Sequence, residues 1–455
     1  MLKSLTALGL ALSCLAVGPA RAEDAASAGQ AAHAMLTRLC DDFGGRLTGS
    51  AQNAAALEAL AAELRGLGYA PQVDAFEFPG WRRGDDRVEL LAPFPRRLRV
   101  AALAYSPATP AFEADVTDLG GLEPERALGG TAGKVGLLSP STLLTARQIG
   151  QRAAELGLRA VLFINREAGG QLLARTGSFI GETLPVPVFS LTQEEGQSLQ
   201  RLLARGRPVR VRCATTSAPV PVRTANLVLR LPGRSPERVI VGAHFDSWDL
   251  GQGALDNGLG VAQLYALARL LRGADLARTV ELVWFNGEEQ GLWGSRHAAA
   301  GLGDAPVVAM INLDMVGVPI AVNALGDADL EAALGRWHAR RARPLPQGVQ
   351  NVNWFGSDHT PYQLAGVRAV TFNAPIPRES VRYYHDRADT IDKLPEPIVV
   401  DSTRTIAEVL QALVEDAALT PRRRSAEATE KLFTTFGLEP RMRAIGYWPF
   451  AARVP

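Results

Sequence analysis

The sequence predicts an α/β fold in which a central mixed, mostly parallel sheet is flanked by helices and carries a smaller inserted α/β domain. Three apolar runs, at residues 239–243, 280–285 and 307–313, predict the central sheet. Continuous β-branched runs of this kind are typical of strands that are covered on both faces. Each run is followed by acids or by a histidine, which indicates that the strand ends share one functional edge.

Helical periodicity and short apolar runs predict the other elements in chain order. Helices are expected at residues 24–39, 51–67, 143–156, 193–205, 258–272, 289–300, 327–342 and 396–419. Short strands are expected at residues 72–78, 87–92, 134–138, 160–164, 186–191 and 367–372, and the first two of these are expected to form a hairpin.

The domain organisation follows from changes in composition along the chain. Proline-rich stretches at 93–95 and 107–110 indicate a crossing between domains. The stretch 113–215 contains no histidine and no acids at ligand spacing, so we interpret it as a non-catalytic insertion. The expected units are a signal peptide at 1–22, a main domain at 23–112 plus 221–420, an inserted domain at 113–220 and a tail at 421–455.

The first 22 residues have the pattern of a secretory signal, with Lys3 before an apolar core and a small-residue cleavage site at its end. We therefore expect export to the periplasm or the outside. Lipid attachment at Cys14 is disfavoured because the residues before it fit a lipoprotein signal poorly. No later segment is apolar enough for a membrane helix. Cys40 and Cys213 fit either a disulfide or two buried thiols.

The net charge does not indicate a particular binding partner. The 48 basic and 47 acidic residues nearly cancel, and no basic stripe indicates nucleic-acid binding.

The candidate site consists of acids and histidines that follow the central strands. These are His244 and Asp246 after the first run, Asp256 in a glycine-rich turn, Glu288 and Glu289 after the second run, Asp314 after the third, and His385 farther on. Carboxylates and imidazoles are ligands for zinc and similar cations. Taken singly, each residue fits a turn, a helix cap or an exposed position. Crowded at one sheet edge, however, the acids would repel one another unless a cation neutralised them.

The adjacent acids Glu288 and Glu289 point in different directions, which favours separate roles: one would coordinate a metal and the other would act as a base.

These residues lie in motifs that resemble a known family. The segments HxDSW, GAxDN, EEQG, NLDM and YYH occur in the order found in zinc aminopeptidases and carboxypeptidases with two co-catalytic metals, and the resemblance is closest to carboxypeptidase Q, a secreted dipeptidase. It covers residues 239–400 strongly. The segments GKVGLL, GLRAVLFI and LPVPVFSLTQEEGQSLQ resemble the protease-associated domain that is inserted in several zinc peptidases.

The resemblance implies the zinc exopeptidase fold and a set of residue roles. Two zinc ions would be bridged by Asp256, one held by His244 and Asp314 and the other by Glu289 and His385, with Glu288 as general base acting on a metal-bridging water. Asp246 would orient His244. The peptide between Asp256 and Asn257 would be cis, and relatives suggest a homodimer.

The expected activity is secreted zinc-dependent hydrolysis of dipeptides or short peptides. Asp358 and His359, in an SDH segment, and Tyr384 are candidates for contacts with the peptide substrate. The alternatives are an aminopeptidase acting on longer peptides, a single-zinc glutaminyl cyclase, and a catalytically dead binding ectodomain on the same fold. The last is disfavoured because every family ligand position is filled.

Overall fold

Two eight-stranded sheets organise the chain in a computed structural model, which describes residues 24–122, 129–375 and 384–450. The helices are α1 (Ala25–Arg38), α2 (Ala51–Gly66), α3 (Ala146–Glu155), α4 (Gln193–Ala204), α5 (Leu259–Leu270), α6 (Trp293–Ala300), α7 (Ala328–Ala339), α8 (His359–Leu364), α9 (Glu396–Glu415), α10 (Ala426–Thr435) and α11 (Glu439–Ala444). The signal peptide expected at 1–22 lies outside the described residues.

Most strands are short, and each belongs to one of the two sheets. They are β1 (Gln72–Arg82), β2 (Asp86–Ala92), β3 (Arg96–Leu98), β4 (Val100–Ala102), β5 (Thr109–Gly120), β6 (Val135–Leu138), β7 (Ala160–Ile164), β8 (Val188–Leu191), β9 (Arg210–Thr215), β10 (Ala218–Leu231), β11 (Ser235–His244), β12 (Arg278–Phe285), β13 (Val307–Asn312), β14 (Ala321–Asn323), β15 (Val349–Gln350) and β16 (Ala369–Asn373).

The main sheet has the order β1-β10-β12-β11-β13-β16-β14-β15. Its central strands β12, β11, β13 and β16 run parallel, whereas β1 pairs antiparallel with β10, β10 with β12 and β14 with β16, so the predicted mixed α/β architecture is confirmed. All eight residues of β12 and all six of β13 are buried, as the apolar runs predicted. Helices α1, α5 and α9 pack against one another in the core that covers this sheet. The carboxyl ends of β11, β12 and β13 therefore meet at one edge.

The second sheet, in the order β3-β2-β9-β5-β6-β7-β8-β4, has its own core and forms a second lobe. This lobe starts at Asp86, so the expected start of the insertion at residue 113 is too late. The expected hairpin of 72–78 with 87–92 is also wrong, because β1 pairs along its whole length with β10 and β2 pairs with β9. Between β1 and β2 the chain passes from one sheet to the other at Arg83, which forms ion pairs with Asp86 and Asp249.

The tail packs onto the main domain. Phe433 of α10 and Met442 of α11 are fully buried against Phe355, in a small core of their own. Arg424 forms an ion pair with Asp327 just before α10. These contacts tie the tail to the part of the chain that follows the central strands.

Two further expectations concern cysteines and membranes. Cys40 and Cys213 are buried and unpaired, and they belong to the cores of different lobes. Within residues 24–122, 129–375 and 384–450, no helix combines the length and apolarity that a membrane crossing requires.

The close packing behind the strand edge gives a stability prediction. Gly242 lies two residues before the end of β11, and an added Cβ would come within 2.2 Å of the Phe285 ring. We expect Gly242→Ala to lower the free energy of unfolding by about 1–3 kcal/mol, because the core has no room to expand. Gly335→Ala is the matched control: it lies in α7 with open space around it, and it should be neutral or stabilising by up to about 1 kcal/mol. Denaturant unfolding of both variants tests this, and equal effects would contradict the packing argument.

Candidate metal centre

The main sheet delivers its acids and histidines to one edge. His244 is the last residue of β11, Glu288 and Glu289 follow β12 after a short turn, and Asp314 lies two residues beyond β13. Because these strands are parallel, their carboxyl ends lie side by side and the side chains that follow them converge. His385 and Asp256 reach the same place from loops.

The first cluster contains His244, Asp256 and Asp314. The His244 Nε2 atom lies 3.1 Å from Asp256 Oδ1 and 3.6 Å from Asp314 Oδ1. The second Asp314 oxygen accepts a hydrogen bond of 2.6 Å from the Ser357 hydroxyl, which fixes the carboxylate in this orientation. Three potential ligand atoms thus face one point.

The second cluster contains His385, Asp256 and Glu289. The His385 Nε2 atom lies 2.9 Å from Asp256 Oδ2 and 3.3 Å from Glu289 Oε2. Asp256 therefore directs one oxygen to each histidine and joins the two clusters. The Asp256–Asn257 peptide is cis, as the family resemblance implied.

The backbone around Asp256 is held by an acid that the sequence analysis did not assign. The carboxylate of Asp389 accepts hydrogen bonds from the Leu255 and Asp256 amides, at 2.8 and 3.0 Å. Burial raises the pKa of Asp389 to about 6, although these two amides favour its charged form. Arg46 supports the same turn from the other side: its buried guanidinium donates to four backbone carbonyl groups, those of Gly44, Phe245, Gln252 and Gly253.

Both imidazoles are oriented by backbone carbonyl groups. His244 Nδ1 lies 3.0 Å from the Asp246 carbonyl oxygen, and His385 Nδ1 lies 2.8 Å from the Ala174 carbonyl oxygen. A carbonyl oxygen can only accept, so each Nδ1 carries the proton and each Nε2 is left to face the acids. Both rings therefore present a lone pair to their cluster when neutral.

The structure corrects the expected role of the Asp246 side chain. Its carboxylate is 3.9 Å from His244 Nδ1, beyond hydrogen-bonding distance. It instead accepts from the backbone amides of Glu288 and Glu289, at 3.2 and 3.3 Å. Asp246 thus holds the turn that carries these two glutamates, and only its main chain orients the imidazole.

The two adjacent glutamates are separated in space, as their different directions predicted. Glu289 faces His385, whereas the carboxylate of Glu288 makes no hydrogen bond to any residue in the described part of the chain. Burial raises the pKa of Glu288 well above its usual value, and the neighbouring Glu289 adds to that effect. Of these two glutamates, Glu288 is therefore the one whose carboxylate is not engaged by another described residue.

The electrostatics of the clusters fit a cation. Burial alone would lower the pKa of His385, but Glu289 and Asp256 outweigh it and raise that pKa to about 10. Burial raises the pKa of Glu289 to about 7. One oxygen of Glu289 and one of Asp314 are buried without a hydrogen-bond partner among the described residues. Buried acceptors without donors are costly, and divalent cations satisfy such a set of imidazole and carboxylate atoms.

Asp358 and His359, expected to contact the substrate, lie behind the clusters. Both side chains are fully buried and so offer no surface to a peptide in this structure. The His359 ring forms a hydrogen bond of 3.0 Å with the Trp354 carbonyl group. Burial lowers the pKa of His359 to about 4. Tyr384, by contrast, is partly exposed and stacks on the His385 ring with centroids 3.7 Å apart.

The second lobe holds the loop that carries His385. The Ala174 amide donates a hydrogen bond of 3.0 Å to the His385 carbonyl group, in addition to the contact of Ala174 with the His385 ring. The next residue, Asp386, is fully buried and accepts from the Leu172 amide at 3.0 Å and from Arg99 at 3.3 Å. A cluster on the main domain is thus completed by contacts with the inserted lobe.

Sequence reasoning missed Arg46, Ser357, Asp386 and Asp389. Ser357, Asp386 and Asp389 lie within four residues of an assigned position, in the SDH and YYHDRAD segments. Arg46 lies in the glycine-rich turn GGRLTGS, where an arginine is unremarkable until its burial is known.

A histidine and carboxylate cluster at the carboxyl edge of a mixed sheet is typical of metal-dependent hydrolases. Residues 226–410 match the model of peptidase family M28. Aminopeptidase YwaD of Bacillus subtilis is 24% identical over 383 residues, which are 80% of each chain. Carboxypeptidase Q of Bos taurus is 29% identical over 277 residues, which are 57% of this chain and 59% of that protein. The chain thus spans less than two thirds of this second relative.

Solved structures show the same fold over most of the chain. A peptidase M28 precursor from Shewanella amazonensis superposes with a TM-score of 0.78 at 21% identity, covering 89% of this chain and 98% of that one. A zinc aminopeptidase from Bacillus subtilis superposes with a TM-score of 0.72 at 21% identity, covering 88% and 97%. The coverage includes the second lobe, so the two-lobe arrangement recurs in these proteins.

Asp386 gives a prediction about metal binding. Asp386→Asn removes the charge that holds Leu172 and Arg99 and should loosen the His385 loop. We expect the affinity for zinc at one of the two clusters to fall about 10–100-fold, as when other outer partners of metal ligands are lost. Competition with a chromogenic chelator measures this. Asp392→Asn, on the exposed surface of the following turn, is the control. Unchanged zinc affinity in Asp386→Asn would contradict the predicted support.

His359 gives a pH prediction. It stays neutral in the fold down to about pH 4, whereas an unfolded chain binds the proton below about pH 6.5. The unfolded state therefore binds more protons between these values, and stability falls as the pH drops from 6.5 to 4, by up to about 3 kcal/mol from this group. Denaturant unfolding at pH 6.5 and 4.5 should show a smaller loss in His359→Gln than in the unaltered protein. Equal losses would contradict the prediction.

Proposed function

We propose that the protein is an exported zinc exopeptidase that hydrolyses dipeptides or short peptides. The observation that carries the proposal is the arrangement at Asp256, whose two oxygens face His244 and His385 in separate ligand clusters. Two such clusters with a shared carboxylate would suit a pair of divalent cations. The zinc aminopeptidase of the same fold from Bacillus subtilis supports zinc as the metal.

The proposed ligands are the members of the two clusters. His244 and Asp314 would hold one zinc, Glu289 and His385 the other, and Asp256 both. Zinc in such a site supplies Lewis acidity, which polarises a peptide carbonyl group and makes water more acidic. The chain's own residues supply the shape of the site and the movement of protons.

Glu288 is the proposed general base. Its carboxylate is not engaged by a hydrogen bond, and burial raises its pKa well above the usual value, so it holds a proton more readily than an exposed glutamate does. It would take a proton from the attacking water and pass it to the leaving amine. Asp246 would act through the backbone, because it fixes the amides of both glutamates.

The family relatives support two substrate types. Carboxypeptidase Q and aminopeptidase YwaD both align with the chain, so an aminopeptidase acting on longer peptides is the second candidate. The His385 loop contacts Ala174 and Leu172 of the second lobe, which places that lobe next to the second cluster. Export rests on the signal-like residues 1–22, and a homodimer is proposed only by analogy with carboxypeptidase Q-like enzymes.

The function is tested with free, N-blocked and C-blocked dipeptides, with and without a zinc chelator. Cleavage of free dipeptides that stops with chelation and returns with added zinc is expected. Cleavage of C-blocked and longer peptides at equal rates would support the aminopeptidase instead. No chelator-sensitive cleavage of any peptide would contradict the proposal.

Glu288→Gln tests the proposed base. The amide keeps the size of the side chain but cannot accept the proton, so we expect turnover to fall about 100-fold or more. Zinc content should stay unchanged, because Glu288 belongs to neither ligand cluster. Glu58→Gln, on the exposed face of α2, is the matched control. Normal turnover in a zinc-loaded Glu288→Gln protein would refute the assignment.

A further inference from the structure

An arginine of the second lobe borders the candidate metal centre. Arg175 follows Ala174, whose main chain forms hydrogen bonds with both the ring and the backbone of His385. The Arg175 carbonyl group accepts from the Ala104 amide at 2.9 Å, which fixes the backbone at this point. The position of the residue is therefore set from two sides.

The Arg175 guanidinium makes no hydrogen bond and no ion pair with any residue that the structure describes. Other half-buried arginines of this lobe are paired: Arg83 with Asp86 and Asp249, and Arg99 with Asp386. The unpaired state of Arg175 is therefore unusual for its surroundings. A half-buried cation without an anion is costly, which suggests that its partner comes from outside the chain.

The surroundings of Arg175 link it to the reaction site. Its charge interacts with the hydroxyl group of Tyr384, and that hydroxyl also interacts with the carboxylates of Asp256 and Glu289. Tyr384 in turn stacks on the His385 ring, with centroids 3.7 Å apart. Arg441 of α11 adds a second positive charge close to Arg175. Arg175 thus directly follows the residue that binds the histidine of the second cluster.

We propose that Arg175 binds the free carboxylate of the substrate. The planar guanidinium offers a fork of donors that matches a carboxylate, and a half-buried position strengthens the pair. Because Arg175 directly follows the residue that binds the His385 ring, a carboxylate held by Arg175 would lie close to the scissile bond, as it does in a dipeptide. The inference rests on the proposed peptidase function and specifies its substrate class as peptides with a free carboxyl end near the cut.

The test compares a dipeptide with its C-terminal amide. In the unaltered protein, the free dipeptide should be cleaved with a kcat/KM at least tenfold above that of the amide. Arg175→Gln should lower kcat/KM for the free dipeptide about 10- to 100-fold, mainly through KM, and leave the amide nearly unchanged. Arg175→Lys should retain part of the preference, because it keeps the charge but not the fork. Arg201→Gln, on the exposed surface of α4, is the matched control and should change neither substrate.

The outcomes separate the inference from the function on which it rests. If the unaltered protein cleaves the free dipeptide and the amide equally well, or if Arg175→Gln lowers both to the same extent, the carboxylate role is wrong while the peptidase function stands. If neither substrate is cleaved with zinc present, the peptidase function itself fails. The Arg175 side chain has no bond to lose, so all three variants should fold, and an unchanged unfolding midpoint checks this.

Discussion

The mutual repulsion of buried carboxylates is the constraint on which this structure depends. Asp256 lies between two imidazoles, and Glu288, Glu289, Asp314 and Asp358 crowd around the same edge. Burial works against the charges of Asp256, Glu288, Glu289 and Asp358. The two imidazoles offset part of this negative charge, and a bound cation would offset more of it. The arrangement therefore fits a bound cation.

The rest of the fold can be understood as the means of holding that arrangement. Backbone amides are used where another charge would disturb the balance: Asp389 binds two amides next to Asp256, and Asp246 binds the amides of both glutamates. Arg46 does the reverse and donates only to carbonyl groups. Each of these charged groups is satisfied by the main chain, so the orientation of the ligands is fixed without adding competing side chains to the site.

The sequence predicted the parts that depend on local pattern. Continuous apolar runs gave the central strands, and the acids after them located the edge, because parallel strands bring successive carboxyl ends together. It failed where partner choice depends on the whole fold. The run at 72–78 has the residue pattern of a hairpin strand, but β1 pairs with β10, a strand nearly 150 residues later in the chain. Eleven residues of β1 pair with eleven residues of β10. Likewise, nothing in the local sequence shows that the Asp246 carboxylate turns to the glutamate amides and that only its carbonyl group meets His244.

The second lobe shows why a site of this kind needs more than its own sheet. The strand ends supply His244, Glu289 and Asp314 from rigid elements, but His385 comes from a loop that no strand holds. Its ring and backbone are fixed by Ala174, and the adjacent Asp386 is anchored on the same lobe. The lobe that orients this histidine also carries Arg175 next to it. One short segment, residues 172–175, would therefore position a substrate group bound by Arg175 relative to the second cluster. The same segment would then influence both the orientation of His385 and the length of peptide that fits.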